Sequence, residues 1–425
     1  MDAFAKQGTL EGARNAEKVL KLLEDDFLER QGRAAINNYG YNVVMNAYVQ
    51  THEGAEKVEE IFKRMEELAE RFKIPSLFPD KISYTTLMRA WKAEGKPGYA
   101  EKVENLLYSM ESSEHARVHP DSVTYSVVLD VLGKCATGND NNNNNNNNNG
   151  VVARGESILR RMRERGIAPN RICYNSILYA YTVMGDPVKA KEMLEWMEQE
   201  ASNGNEAVRP GGKDYSACVR AFAKKGKSDE TLFQDAASLF RIVRDRYTEG
   251  DMRFQTDGSI LTSLLVVLAN CKVPNKAAVA KKIWQEAQEM GIVLDRINYN
   301  TLLRVCTTET GCADARFEAL ELAVVSFQQM RQVANVGVDS FTFYYMMCCC
   351  SILIADEDEK EASVKEFFVI CCEVGMVSFE VLSCFHRLVP DSPLLTRFVS
   401  KDGGIDYNRI PFDWKRAVIR YGKQR

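Results

Sequence analysis

One opening recurs along this 425-residue chain: an aromatic residue or leucine, a small polar residue, then apolar residues at helical spacing. It reads YNVVMNAY from Tyr41, YTTLMRAW from Tyr84, YSVVLDVL from Tyr125, YNSILYAY from Tyr174 and YSACVRAF from Tyr215. LTSLLVVL from Leu261, YNTLLRVC from Tyr299, YYMMCCCS shifted one place from Phe343, and FEVLSCFH from Phe379 complete the series. With few glycines and no proline inside them, these segments read as first helices. A second helix follows each of the first eight, as in AEKVEEIFKRM from Ala55 and AEKVENLLYSM from Ala100. Later second helices carry a small residue followed four places on by a large apolar one: Ala190 and Leu194, Ala236 and Phe240, Ala280 and Trp284, Ala323 and Phe327. That spacing puts both on one face, where the small residue admits a neighbouring helix. Residues 10 to 30 read as one more second helix, so the array starts in mid-repeat.

The openings are roughly 42 residues apart on average, a period that signals stacked helical repeats. Uneven spacing has a simple source. Tyr174 to Met197 takes 23 residues, whereas Tyr125 to Met162 takes 37 and carries the tract Asn141 to Asn149. A polyasparagine run buries no apolar area, so a disordered Asn-rich loop is expected over 137–150. Loop closure grows costlier only slowly with length, so such insertions leave the stacked helices intact.

The formal charge of −4 gives no global basic field, so any nucleic-acid surface has to be local. Twelve cysteines lie mostly in apolar helical stretches, which fits reduced thiols packed between helices better than a secreted disulfide framework. No C-x-x-C pair stands in the Cys348 to Cys384 group, and none of the four histidines falls in a metal or triad motif. No metal, cofactor or catalytic residue is therefore expected, and the chain reads as no enzyme. The longest apolar run, Phe341 to Ala355, has 15 residues and is short for a membrane span. The amino terminus reads as helix, with no targeting peptide visible.

The opening Val/Ile-x-Tyr-Asn/Thr/Ser, the Ala-x-x-x-Phe-x-x-Met second helix and the endings Pro79-Asp80, Pro120-Asp121 and Pro169-Asn170 resemble the pentatricopeptide repeat family. The likeness covers about 31 to 388 and is closest to the P-type members, with long inter-helix loops like those of algal ones. It implies an all-α right-handed superhelical solenoid of helix-turn-helix hairpins, about eight full repeats with partial ones at both ends. Residues 1–388 would form the array and 389–425 a C-terminal tail or cap, in which Trp414 covers the last apolar layer. The resemblance further implies sequence-selective binding of single-stranded RNA, a place in organellar RNA processing, stability or translation, and a mitochondrial or chloroplast location. Other RNA-processing proteins would be its further partners.

In that family each repeat reads one base through the polar residue after the tyrosine and the last residue of the repeat. Carried over here, the pairs are Asn42 with Asp80, Thr85 with Asp121, Ser126 with Asn170, Asn175 with Gly211, Ser216 with Asp257, Thr262 with Asp295, and Asn300 with Asp339. The family's pairing rules then give UGANGGU, 5′ to 3′. An apolar residue two places before the tyrosine wedges between successive bases, and Tyr39, Ile82, Val123, Ile172, Ile297, Phe341 and Val377 hold that place. Lys213 and Ser259 depart from it, and Tyr344 with Gly375 matches no reading pair. The tips are expected to form an evenly aimed row along one inner groove, with Lys81, Arg89, Lys92, Arg171, Arg220 and Arg296 available to phosphates. A plainer reading exists for each terminal Asp or Asn, which stands where a helix N-cap belongs. The rival function is a scaffold whose groove holds a peptide.

Overall fold

The computed structural model describes residues 1–31, 36–51, 54–96, 98–137, 145–226, 229–333, 336–395, 398 and 407–422, and among them the regular structure is helical with no strand. A short α1 (Asp2–Ala5) and the long α2 (Leu10–Glu29) come first. Hairpins follow: α3 (Asn38–Gln50) with α4 (Ala55–Phe72), α5 (Lys81–Glu94) with α6 (Tyr99–Ser112), α7 (Ser122–Thr137) with α8 (Asn145–Glu164), and α9 (Arg171–Met184) with α10 (Pro187–Ser202). The series continues with α11 (Gly212–Lys224) and α12 (Glu230–Thr248), α13 (Gly258–Asn270) and α14 (Lys276–Glu289), α15 (Arg296–Cys306) and α16 (Ala313–Gln332), and α17 (Ser340–Leu353) and α18 (Glu357–Val374). A single helix α19 (Phe379–Leu388) and the terminal α20 (Phe412–Gly422) end the chain. The helices group into two compact units, Met1–Pro210 and Gly211–Arg425.

In the first unit α3, α5, α7 and α9 pack side by side; in the second α11, α13, α15, α17 and α19 do the same. Each second helix packs against first helices, as the small-then-large spacing requires. Ala190, Ala236, Ala280 and Ala323 are wholly buried, and Leu194, Phe240, Trp284 and Phe327 are at most 6% exposed. Burying side chains of that size contributes about 1.5–3 kcal/mol apiece. First helices approach closely where residues are small: a Cβ built on Gly133 of α7 would lie 2.8 Å from the Ser176 carbonyl of α9.

The recurring tyrosine has a structural cause. The rings of Tyr41, Tyr125 and Tyr174 are fully buried, and each hydroxyl finds a charged partner on the preceding second helix. Tyr41 donates to Glu24 at 2.6 Å and Tyr125 to Glu111 at 2.6 Å, while Arg163 donates to Tyr174 at 2.5 Å. A ring that fills the core with a tip that needs a polar partner locks both helices at once.

The asparagine tract departs in part from the expected loop. Residues 138–144 lie outside the described residues, but Asn145 to Asn149 open α8 as helix. The amphipathic segment ending at Met162 extends backward, because adding a residue to an existing helix is far easier than starting one. At the other end Trp414 of α20 sits edge-on to Phe368 of α18 at 6.0 Å and to Phe398 at 5.7 Å. Main-chain bonds from Val377 to Trp414 (2.8 Å) and from Ala417 to Gly375 (3.0 Å) fasten α20 in place.

Candidate nucleic-acid interface

Every first helix from α5 to α17, except α11, starts on an aspartate or asparagine whose side chain accepts amides of the first turn. Asp80 accepts from Ile82 and Ser83, Asp121 from Val123 and Thr124, and Asn170 from Cys173. Asp257 accepts from Ser259, Asp295 from Asn298 and Asp339 from Thr342. These are N-caps, as their position predicts. The cap fixes where each helix begins, and therefore which way the next residues point.

Counting from the cap, the second, fifth and ninth positions share one face of the helix. The second position is the wedge place. Tyr39, Ile82, Val123, Ile172, Ile297 and Phe341 stand there exposed by 50 to 62%. Tyr39 is partly engaged, since its hydroxyl donates to Asp2 at 3.1 Å. Val377 does not belong with them: it is fully buried, and its amide bonds to the last helix. The cap of α19 is Ser378, so its wedge place is Glu380 and its tyrosine place is the buried Leu382. Gly375 likewise ends α18 as its left-handed cap at φ 75° and is no partner for Tyr344.

The fifth position carries the polar tip, and four of the tips meet the next repeat's cap directly or through one residue. Asn42 donates to Asp80 at 3.3 Å and Asn300 to Asp339 at 3.0 Å. Elsewhere the link runs through the third residue of the following helix. Thr85 lies 3.3 Å from the Thr124 hydroxyl, which donates to Asp121. Thr262 accepts from Asn298 at 2.7 Å, and the Asn298 amide is capped by Asp295. Thr342 donates to Asn300 at 2.8 Å as well as to Asp339. Sequence reasoning missed this buried third-position layer of Ser83, Thr124, Asn298 and Thr342. Its signal is present, however: a polar residue three places after a cap is a capping-box pattern.

Even presentation of the tips fails at three places. Asn42, Ser126 and Ser216 are buried, at 8%, 4% and 4% exposure, while Thr85, Asn175, Thr262 and Asn300 are half-buried. Ser126 donates to the Val123 carbonyl and Ser216 to the Gly212 carbonyl, and Ser216 also meets Thr256 at 2.8 Å. A serine is short, so a closely packed neighbour covers it and the main chain takes its proton. Asn170, the intended partner of Ser126, donates instead to the Ser122 carbonyl at 3.4 Å. The Asn42 and Asn175 side-chain carbonyls are buried with no hydrogen-bond partner. Gly211 offers no side chain, and its amide is held by Asp214.

The ninth position supplies charge and one further aromatic. Arg89 and Arg220 are exposed there, and Tyr179 is exposed by 50% although the sequence reading passed it over. Three of the other basic candidates already have carboxylate partners: Lys81 with Asp121 at 2.7 Å, Lys92 with Asp130, and Arg296 with Asp339 at 3.5 Å. Arg171 donates to the Arg209 carbonyl at 3.3 Å. Burial opposes ionisation of Asp121, but the Lys81 ammonium and the Thr124 amide hold its carboxyl below the usual range. Asp257 is also lowered, first by the Ser259 hydroxyl, with Arg220 and Lys213 adding positive charge. Both stay ionised acceptors at neutral pH. Among the described residues no His/Cys/Asp/Glu group could hold a metal ion, and no helix is long and apolar enough to cross a membrane.

Residues 147–201, spanning α8, α9 and α10, match the pentatricopeptide repeat domain model. A pentatricopeptide repeat-containing protein of Arabidopsis thaliana is 25% identical over 174 residues, which is 41% of this chain and 25% of that protein. A second such protein of Arabidopsis thaliana, described as chloroplastic, is 27% identical over 178 residues, 42% of this chain and 19% of the relative. The matched segments thus span a quarter or less of those relatives' length. Among solved structures, the pentatricopeptide repeat protein PPR10 in complex with an 18-nt psaJ RNA element aligns over 97% of this chain and 57% of that one, at 17% identity and a TM-score of 0.39. The domain match lies within a run of capped helical hairpins, and over about two-fifths of its length the chain is similar to pentatricopeptide repeat-containing proteins.

Proposed function

We propose that the chain binds single-stranded RNA with sequence preference through its first helices and performs no catalysis of its own, acting in organellar RNA processing, stability or translation. One observation carries this reading: six first helices leave an apolar side chain half or more exposed at the same helical position, and in three of them the neighbouring tip, Asn42, Thr85 or Asn300, is tied to the next helix's cap directly or through one residue. A single exposed isoleucine is ordinary, but its repetition at one register is not. Packed helices repeat about every 8–10 Å. Apolar wedges at that interval suit unstacked bases, whose edges then face the tips. Each base contributes about 1–3 kcal/mol, so several modest readers together reach micromolar to nanomolar binding.

The preference proposed is UGANGGU. Its strongest positions should be those read by Thr85, Thr262 and Asn300, and its weakest those read by the buried Ser126 and Ser216. The two relatives are pentatricopeptide repeat-containing proteins, and the chloroplastic description of one supports an organellar place for this chain. Selection from randomised RNA tests the reading. Thr85→Asn should shift the second base from G toward U, and an unchanged preference would count against base reading. A peptide-binding scaffold would enrich no RNA sequence at all.

A further inference from the structure

Cys348 of α17 and Cys384 of α19 bring their sulfurs to 3.7 Å. Cys348 occupies the ninth position after its cap, on the same face as Phe341 and Tyr344, at the C-terminal end of the row. We propose that these two residues form a reversible disulfide when the protein meets a hydroperoxide, fastening α19 to α17. A disulfide bond is about 2.05 Å long, so closure needs less than about 2 Å of sulfur travel, within reach of side-chain rotation.

The step balances as follows. The Cys348 thiolate attacks one peroxide oxygen, the O–O bond breaks, and a sulfenic acid and an alkoxide or hydroxide result. That leaving group takes up the proton released when the thiol ionised. The Cys384 sulfur then attacks the sulfenic sulfur, the S–S bond forms as the S–O bond breaks, and the Cys384 proton departs with the hydroxyl as water. The two thiols lose two electrons and the peroxide gains them.

The surroundings select Cys348 as the first nucleophile. Its contact with the Cys384 thiol comes first, and although burial opposes ionisation, Tyr344 and the Arg387 charge help hold the Cys348 thiol below the usual value. Arg387 also reaches the Cys384 sulfur at 3.9 Å. Burial pushes up the thiols of Cys173, Cys306, Cys349, Cys350 and Cys372, and the hydrogen bond with Cys348 raises that of Cys384, so Cys348 ionises ahead of them. Cys348 keeps 9% exposure, against 3% for Cys384.

Peptide mapping of the reduced full chain after treatment with hydrogen peroxide tests this without RNA, so its outcome is independent of the RNA-binding proposal. The expected product is a peptide linked through Cys348 and Cys384 that contains most of Cys348 and is released by dithiothreitol. In Cys384→Ser protein a dimedone adduct should collect on Cys348, because the resolving thiol is gone. The proposal is overturned if the wild-type chain yields no such linked peptide, or if Cys348 proceeds to sulfinic acid while Cys384 stays reduced.

Discussion

Asn300 donates from Nδ2 to Oδ1 of Asp339 at 3.0 Å, 39 positions further along the chain. The same oxygen accepts the Thr342 amide at 3.0 Å and so caps α17. The other carboxylate oxygen faces Arg296 at 3.5 Å. Capping and orientation of the tip are therefore the work of one atom. A cap that holds the next helix also sets the direction of the residue expected to read a base, so the two roles support each other.

Substitution at Asp339 separates these roles. Asn caps about as well as Asp, so Asp339→Asn should leave the urea midpoint nearly unchanged, whereas Asp339→Ala should lower stability by about 1 kcal/mol. Both should alter the preference at the seventh base in a panel of single-base RNA variants. A preference unaffected by Asp339→Asn would reduce this residue to a cap.

The exposed wedges should matter to binding and hardly at all to folding. Ile82→Ala, Ile172→Ala and Ile297→Ala remove side chains that are 57%, 55% and 62% exposed, so each should change stability by less than about 0.5 kcal/mol. In fluorescence anisotropy each should weaken RNA binding by about 1 kcal/mol, roughly fivefold in Kd. Equal affinity of the triple variant and the parent would remove the wedges from the interface.

Acid should loosen the amino-terminal end through Glu17. Burial alone would raise its carboxyl, but the Tyr48 hydroxyl at 2.7 Å and the ammonium groups of Lys57 and Lys21 bring it down to about 2. A folded-state value below the unfolded one of about 4.5 stabilises the fold above pH 4.5, and that contribution is lost as pH falls toward 2. Chemical denaturation of the parent should therefore weaken over this window. Glu17→Gln should be less stable at pH 7 and show a shallower loss; identical pH profiles would contradict the assignment.

Much of this was legible in the sequence, because periodicity and caps are local signals. Tyr41, Tyr125 and Tyr174 mark the openings of first helices, and Asp80, Asp295 and Asp339 mark where helices start. The ninth opening misleads because Phe379, an aromatic residue, matches the tyrosine place by residue type alone. The cap Ser378 sets the register, which puts Leu382 in the core and Phe379 on the surface at 57% exposure. The burial of Ser126 and Ser216 was not readable, since it depends on how closely neighbouring helices approach and on short hydroxyls finding main-chain carbonyls. Tyr179 was missed because its place on the face emerges only once the caps fix the helical phase.

The central claim is tested most directly by titrating the purified chain with an oligoribonucleotide containing UGANGGU and with a scrambled one of equal composition, across a salt series. The account predicts tighter binding of the first, by at least about tenfold, with affinity falling as salt rises. Equal affinity for both sequences, or no binding at low ionic strength, would contradict it.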